Sequence, residues 1–193
     1  MSQAGLVAEH PVLAGARAAS AGLAGACEDS VWQLCDDEVE TSLEVLQRVE
    51  AQLLAARAGL LREAQVRDLR SRTQALTTPG WVADRFRISH QQATARLRDA
   101  AAIGRHPALA DALAEGAVNV AQARVLLEVF DRLDALGLDE WTRAAAQRFL
   151  LEQTHALGPR HLARAGQALL EALTRRPSVD DPAEAAAVQA ELA

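Results

Sequence analysis

The run SHQQATARLR, Ser89 to Arg98, places Gln91, Gln92, Thr94 and Arg98 within about two and a half turns of one helix. Glutamine can pair bidentately with adenine and arginine with guanine, and a small residue such as Ala95 can approach a thymine methyl. Arg85, Arg87, Arg96 and Arg105 surround the run, and Arg70 and Arg72 precede it. These are residue types that clamp phosphates. The free backbone N–H groups of a helix starting at Ser89 add a phosphate-sized anion site. The chemistry this pattern points to is DNA recognition by Ser89, Gln91, Gln92, Thr94 and Arg98, with Arg85, Arg87, Arg96 and Arg105 on the backbone.

Such residues need a helix-turn-helix to hold them. Thr78-Pro79 reads as an N-cap followed by a first-turn proline, opening a helix to about Phe86. Ser89 and Gln92 form a capping box for the next helix, which runs to about Ile103. Its inner face should hold Ala93, Leu97, Ala100 and Ala101. His106-Pro107 opens a short helix closed by Gly116, with His106 as its cap. Asn119 with Gln122 opens another, closed by Gly137. Asp139 caps a helix through His155, and Gly158-Pro159 starts one to about Arg176. Pro177–Asp181 is a linker before a terminal helix.

Upstream, a long helix is expected over Asp36–Asp68. Val39, Leu43, Leu46, Val49, Leu53, Leu54, Leu60, Leu61 and Val66 recur along it at helical spacing. That stripe serves either as the scaffold of the domain or as a homodimer seam. Gly59 within it marks a kink or a close helix crossing. Three segments follow: a flexible or weakly helical leader over 1–27, a helical domain over 28–176, and a linker with terminal helix over 177–193.

Composition agrees with an all-α bundle. Hydrophobic residues make up 50% of the 193 and aromatics 3%, with no tyrosine, so Leu, Val and Ala must fill the core. All 20 basic residues are arginine, a bias that fits a GC-rich genome before it signals function. The net charge of -6 argues against a whole-surface nucleic-acid binder and requires a local patch. Seven acids and no base lie between Glu28 and Glu44, whereas Arg48 to Arg72 holds six arginines against three acids. The acid run reads as a solvated face or as a dock for an Arg-rich surface.

Other chemistry finds little support. Cys27 and Cys35 fit no zinc spacing and read as reduced core thiols. His155 and His161 flank the Gly158-Pro159 turn without a third ligand. Ser89 and His90 are sequence neighbours pointing about 100° apart, which is no nucleophile–base pair. No cofactor motif, metal site or catalytic constellation emerges, so no enzyme is expected. Trp32, Trp81 and Trp141 read as core anchors. Residues 1–26 lack a basic start and an unbroken apolar core, so neither a signal peptide nor a membrane span is expected, and the cytoplasm is the default location. Plain structural corners share the helix-turn-helix pattern, and Asp84 and Asp99 oppose phosphate, so a protein-interaction module without nucleic-acid binding stands as the alternative.

From Val31 to roughly Leu173 the chain resembles the actinobacterial domain of unknown function 222, the thirteen-E-twelve repeat family. Four pieces carry the resemblance: LEVLQRVEAQLLAARAGLLREA, WVADRFRISHQQATARLRDAAAIGRHPALADALAEGAVNVAQARVL, the Asp139–Leu157 helix, and GPRHLARAGQALLEAL. Members of that family commonly carry an HNH nuclease domain after this region. The resemblance therefore implies a DNA-targeting or regulatory role beside a nuclease. An HNH site needs a general-base His, a metal-binding His and a ββα hairpin. The dispersed His10, His90, His106, His155 and His161 do not supply these, and the chain reaches Ala193 with a C-terminal nuclease module expected to be missing. Separately, ISHQQATARLRDAAAI with PALADALAEGAVNVAQARVLL is similar to the helix-turn-helix core of ParB-type partition proteins. The nucleotide-binding motifs of those proteins are lacking, so only the helical reader is implied.

Overall fold

Ala-rich helix formers, interrupted by capping residues at regular intervals, give a chain of helices. A computed structural model of the protein describes residues 9–175. The 177–181 linker and the terminal helix expected after it lie outside these residues, as does the start of the leader. Eight α-helices and two short 3-10 turns, with no strand, make up the described residues. The chain divides into two compact units at Glu44–Val45.

The first unit holds α1 (Pro11–Glu28), a 3-10 turn at Val31–Gln33 and the opening turns of α2 (Asp36–Val66). The leader expected to be flexible or weakly helical contains an 18-residue helix. Pro11 sits in its first turn and the His10 ring nitrogen accepts from the Val12 N–H at 3.3 Å. At the start of α2 the Glu38 carboxylate accepts from the Cys35 N–H at 2.9 Å. Asp36, Asp37 and Glu38 all fall in the first turn, where the helix dipole favours negative charge. Part of the acid run thus has a local structural role. Cys27 and Cys35 are exposed free thiols, not core residues. Trp32 is 80% exposed and is no core anchor among the described residues.

The second unit contains the rest of α2, a 3-10 turn at Leu69–Arg72, and α3 (Thr78–Phe86), α4 (His90–Arg105), α5 (Pro107–Glu115), α6 (Val120–Ala135), α7 (Glu140–Gln153) and α8 (Pro159–Thr174). Its core is aliphatic around one phenylalanine: Leu109, Leu113, Leu126, Leu133, Leu150 and Leu162 pack with Phe130 and are fully buried. Trp81 is half-buried against this cluster, but Trp141 is 78% exposed in the first turn of α7. The most extensive pairing is α6 on α8. It is close because Gly166 has no side chain: a Cβ there would lie 2.6 Å from Val129 Cγ2.

Only part of the leucine stripe on the long helix turns inward. Ala51, Ala58, Leu61 and Ala64 are buried and Leu54 and Ala55 pack against the core, while Leu46, Leu53, Leu60 and Val66 are exposed. Small residues fill most of the face that α2 buries. Arginine stems complete the contact: Arg62 passes over Gly104 in the last turn of α4, and Arg48 over Gly116 at the end of α5. Cations at helix C-termini are favoured by the dipole. Gly59 faces open space, so it serves no close crossing.

Candidate nucleic-acid interface

The α3–α4 corner is built by three local devices. Thr77, one residue before the expected cap, accepts from the Gly80 N–H at 3.1 Å and starts α3. Arg87 then ends α3 in the left-handed region, at φ 53°, and its N–H reaches the Ala83 carbonyl. A non-glycine residue there is uncommon and costs of order 1 kcal/mol or more. It reverses the chain in one step and leaves the Arg87 side chain exposed. Ser89 next forms the full capping box: its hydroxyl accepts from the Gln92 N–H at 3.1 Å, and Gln92 Oε1 accepts from the Ser89 N–H at 3.1 Å.

Buried Ala93, Leu97, Ala100, Ala102 and Ile103 hold α4 to the core. Ala101 is exposed, so the inward face turns one position later than the spacing implied. At about 100° per residue, Gln91, Thr94, Arg98 and Arg105 share the outward face, with Ala95 beside them. Gln91, Ala95 and Arg98 are exposed, and among the described residues neither Gln91 nor Arg98 has a side-chain partner. Thr94 is half-buried and its hydroxyl donates to the His90 carbonyl at 2.9 Å. It still offers its methyl and its oxygen lone pairs.

The remaining candidates separate into different environments. Gln92 is exposed, but its carbonyl oxygen is committed to the cap and only its amide hydrogens are free. Arg96 is half-buried on the far side of α4, near enough to Arg57 of α2 to disfavour that residue's charge. Arg105 lies on the outward face but is engaged by Asp131 of α6. Arg85 and Arg87 line a shallow depression of about 470 Å³ with Thr73, Gln74, Ala75, Trp81 and Asp84. Arg70 is a structural staple, bonding Asp68 at 2.8 Å and the Leu76 carbonyl at 2.5 Å. The structure thus places Gln91, Thr94, Ala95 and Arg98 on one face of α4 and Arg85 and Arg87 in a depression at the end of α3, while Gln92 and Arg105 are committed to other partners and Arg96 lies on the far side of the helix.

One polar residue has a role that sequence reasoning missed. His106 occupies the N-cap position of α5 but makes no side-chain cap. Its imidazole is buried edge-on to Phe130, centroids 5.1 Å apart, with Nδ1 3.4 Å from Gln147 Nε2. Nε2 has no hydrogen-bond partner and lies 3.9 Å from Asp134 Oδ2. Burial pushes this imidazole below the ordinary histidine range, with Asp134 opposing and Arg105 assisting. The chain's own signal was adjacency to a capping proline, which hid the ring's inward direction. Asp139, by contrast, is the expected cap: bonds from the Thr142 hydroxyl and N–H lower its pKa.

The described residues hold no group of three or more His, Cys, Asp or Glu able to bind a metal ion. No described helix is long and apolar enough to cross a membrane. His155 and His161 are both exposed.

An all-α domain built around a capped helical corner is the class that fold and site define. The family described as domain of unknown function (DUF222) matches residues 40–191, and the chain belongs to that family. The match takes in the second unit from its first residue, including the α3–α4 corner. No curated protein matches the chain. No solved structure matches it either.

Proposed function

We propose that this chain is a DNA-associated helical domain that reads base edges through the outward face of α4 and performs no chemistry of its own. The observation that carries the reading is the pairing of an open face with uncommitted donors. Gln91 and Arg98 project from α4 without internal partners, on a helix whose orientation is fixed by the Arg87 turn and the Ser89–Gln92 box. Arg85 and Arg87 supply cations for backbone contacts beside it. The family resemblance supports a targeting or regulatory role beside a nuclease of HNH type, in the cytoplasm where DNA is reached.

The reading is tested by the Gln91→Ala/Arg98→Ala double variant. Both side chains are exposed, so the variant should fold as the wild type does while losing preference among duplex sequences in competition binding. A double variant that unfolds would make these residues structural and place any reading surface elsewhere.

A further inference from the structure

On the outward face of α2, Leu46, Glu50, Leu53, Arg57 and Leu60 recur at alternating steps of four and three, the spacing of a coiled-coil seam. Leu46, Leu53 and Leu60 are 44%, 58% and 55% exposed, an apolar stripe left bare among the described residues. The two charged members have no ion-pair partner among the described residues. One turn pair apart, at about 10.5 Å along the axis, they cannot reach each other within one helix. Beside the stripe lies a cleft of about 260 Å³ between α2, α4 and α6. Its floor is apolar, with Leu54, Ile103 and Leu127, and its rim carries Glu50 and Asp99 with Arg57 and Arg124.

We infer that this face pairs with a second copy of the chain, the two α2 helices running antiparallel about a two-fold axis beside Leu53, with Glu50 of each copy on Arg57 of the other. The register follows from the residues. With the axis at Leu53, Leu46 of one copy falls on Leu60 of the second, Leu53 meets its own copy, and the charged layers between them bring opposite signs together. A two-fold interface must be self-complementary, residue i meeting j while j meets i. A parallel pairing would instead stack Glu50 on Glu50 and Arg57 on Arg57, which repel. The rim of the cleft carries both signs equally, as a self-complementary surface requires. Arg57 is half-buried, and desolvation with Arg96 nearby disfavours its charge against the pull of Asp99. A second carboxylate at that point relieves the imbalance. The inference is independent of the DNA reading.

A charge swap tests both the pairing and the register. Sedimentation equilibrium on the full chain should give a reversible dimer for the wild type. Glu50→Arg and Arg57→Glu should each weaken it by roughly tenfold or more, since each puts like charges in two layers. The double swap should restore the wild-type affinity to within a few-fold. Circular dichroism on each variant confirms that the helices persist, and Glu50→Arg, at an exposed position, keeps the test valid if Arg57→Glu fails to fold. A wild type that stays monomeric at high micromolar concentration overturns the pairing. Single variants that dimerise like the wild type, or a double swap that fails to recover, overturn the antiparallel register.

Discussion

Gln122 donates from its amide nitrogen to the Thr154 carbonyl at 2.8 Å and to the Leu157 carbonyl at 2.9 Å, tying the start of α6 to the end of α7. Its carbonyl oxygen is used as well, accepting from the Asn119 N–H at 3.0 Å, while its own N–H donates to Asn119 Oδ1 at 2.9 Å. One buried side chain therefore completes a capping box and satisfies two carbonyls that follow another helix. Gln122→Ala should lower unfolding free energy by about 2–3 kcal/mol, from one lost cap and two orphaned carbonyls. Urea unfolding followed at 222 nm measures this; a change below about 0.5 kcal/mol would show the staple to be idle.

The crossing of α6 and α8 depends on the missing side chain of Gly166. Gly166→Ala gains helix propensity of roughly 1 kcal/mol, yet must push its methyl into Val129. The steric cost should win, giving net destabilisation of about 1–2 kcal/mol. Val129→Ala in the Gly166→Ala background should cost less than Val129→Ala alone, because the clash is relieved. Additive losses in that double-mutant cycle would contradict the close approach.

His106 gives stability a pH dependence of predictable sign. Its folded pKa is lowered, chiefly by desolvation. The unfolded chain therefore takes up the proton first as pH falls. Stability from this group is fully present above the unfolded value, about 6.5, and is lost as pH drops from there through the folded pKa. His106→Leu should flatten the stability curve below about pH 6.5, whatever it does to stability at neutral pH. Equal slopes in the two proteins there would mean that the ring keeps its ordinary pKa in the folded state.

Arginines on the same face of α4 should not contribute equally to DNA binding. Arg98 is uncommitted, so Arg98→Ala should weaken a preferred site by roughly tenfold or more. Arg105 is already held by Asp131, and Arg105→Ala should have a smaller effect. Fluorescence anisotropy on labelled duplexes compares them; a larger loss at Arg105 would show that the Asp131 pair opens on binding.

Capping chemistry made most of the fold legible, because a cap is a local event that needs only near neighbours. The Ser89–Gln92 and Asn119–Gln122 boxes, the Asp139 cap and the αL glycine at Gly116 stand where the sequence put them. Choices between faces were less legible. Leucine spacing on α2 marks a stripe but does not tell an inward stripe from an outward one. The helix buries Ala51, Ala58 and Ala64 together with Leu61, while Leu46, Leu53 and Leu60 remain outside. Trp141 and the two cysteines failed for a related reason: residue type gives an average burial, and these positions lie where no element covers them. In the candidate site, the sequence named donors but not their prior commitments. Gln92 is held by the cap it was expected to form and Arg70 by near neighbours, whereas Arg105 is taken by Asp131, a partner that only the folded chain brings near.

The central claim is that the α4 face binds DNA, and a salt titration of binding to mixed-sequence duplex tests it most directly. Each phosphate contact releases counterions, so affinity should fall steeply between low and physiological salt, with a log–log slope reduced in an Arg85→Ala/Arg87→Ala variant. Absence of binding at low salt, or binding indifferent to both salt and those arginines, would contradict the account.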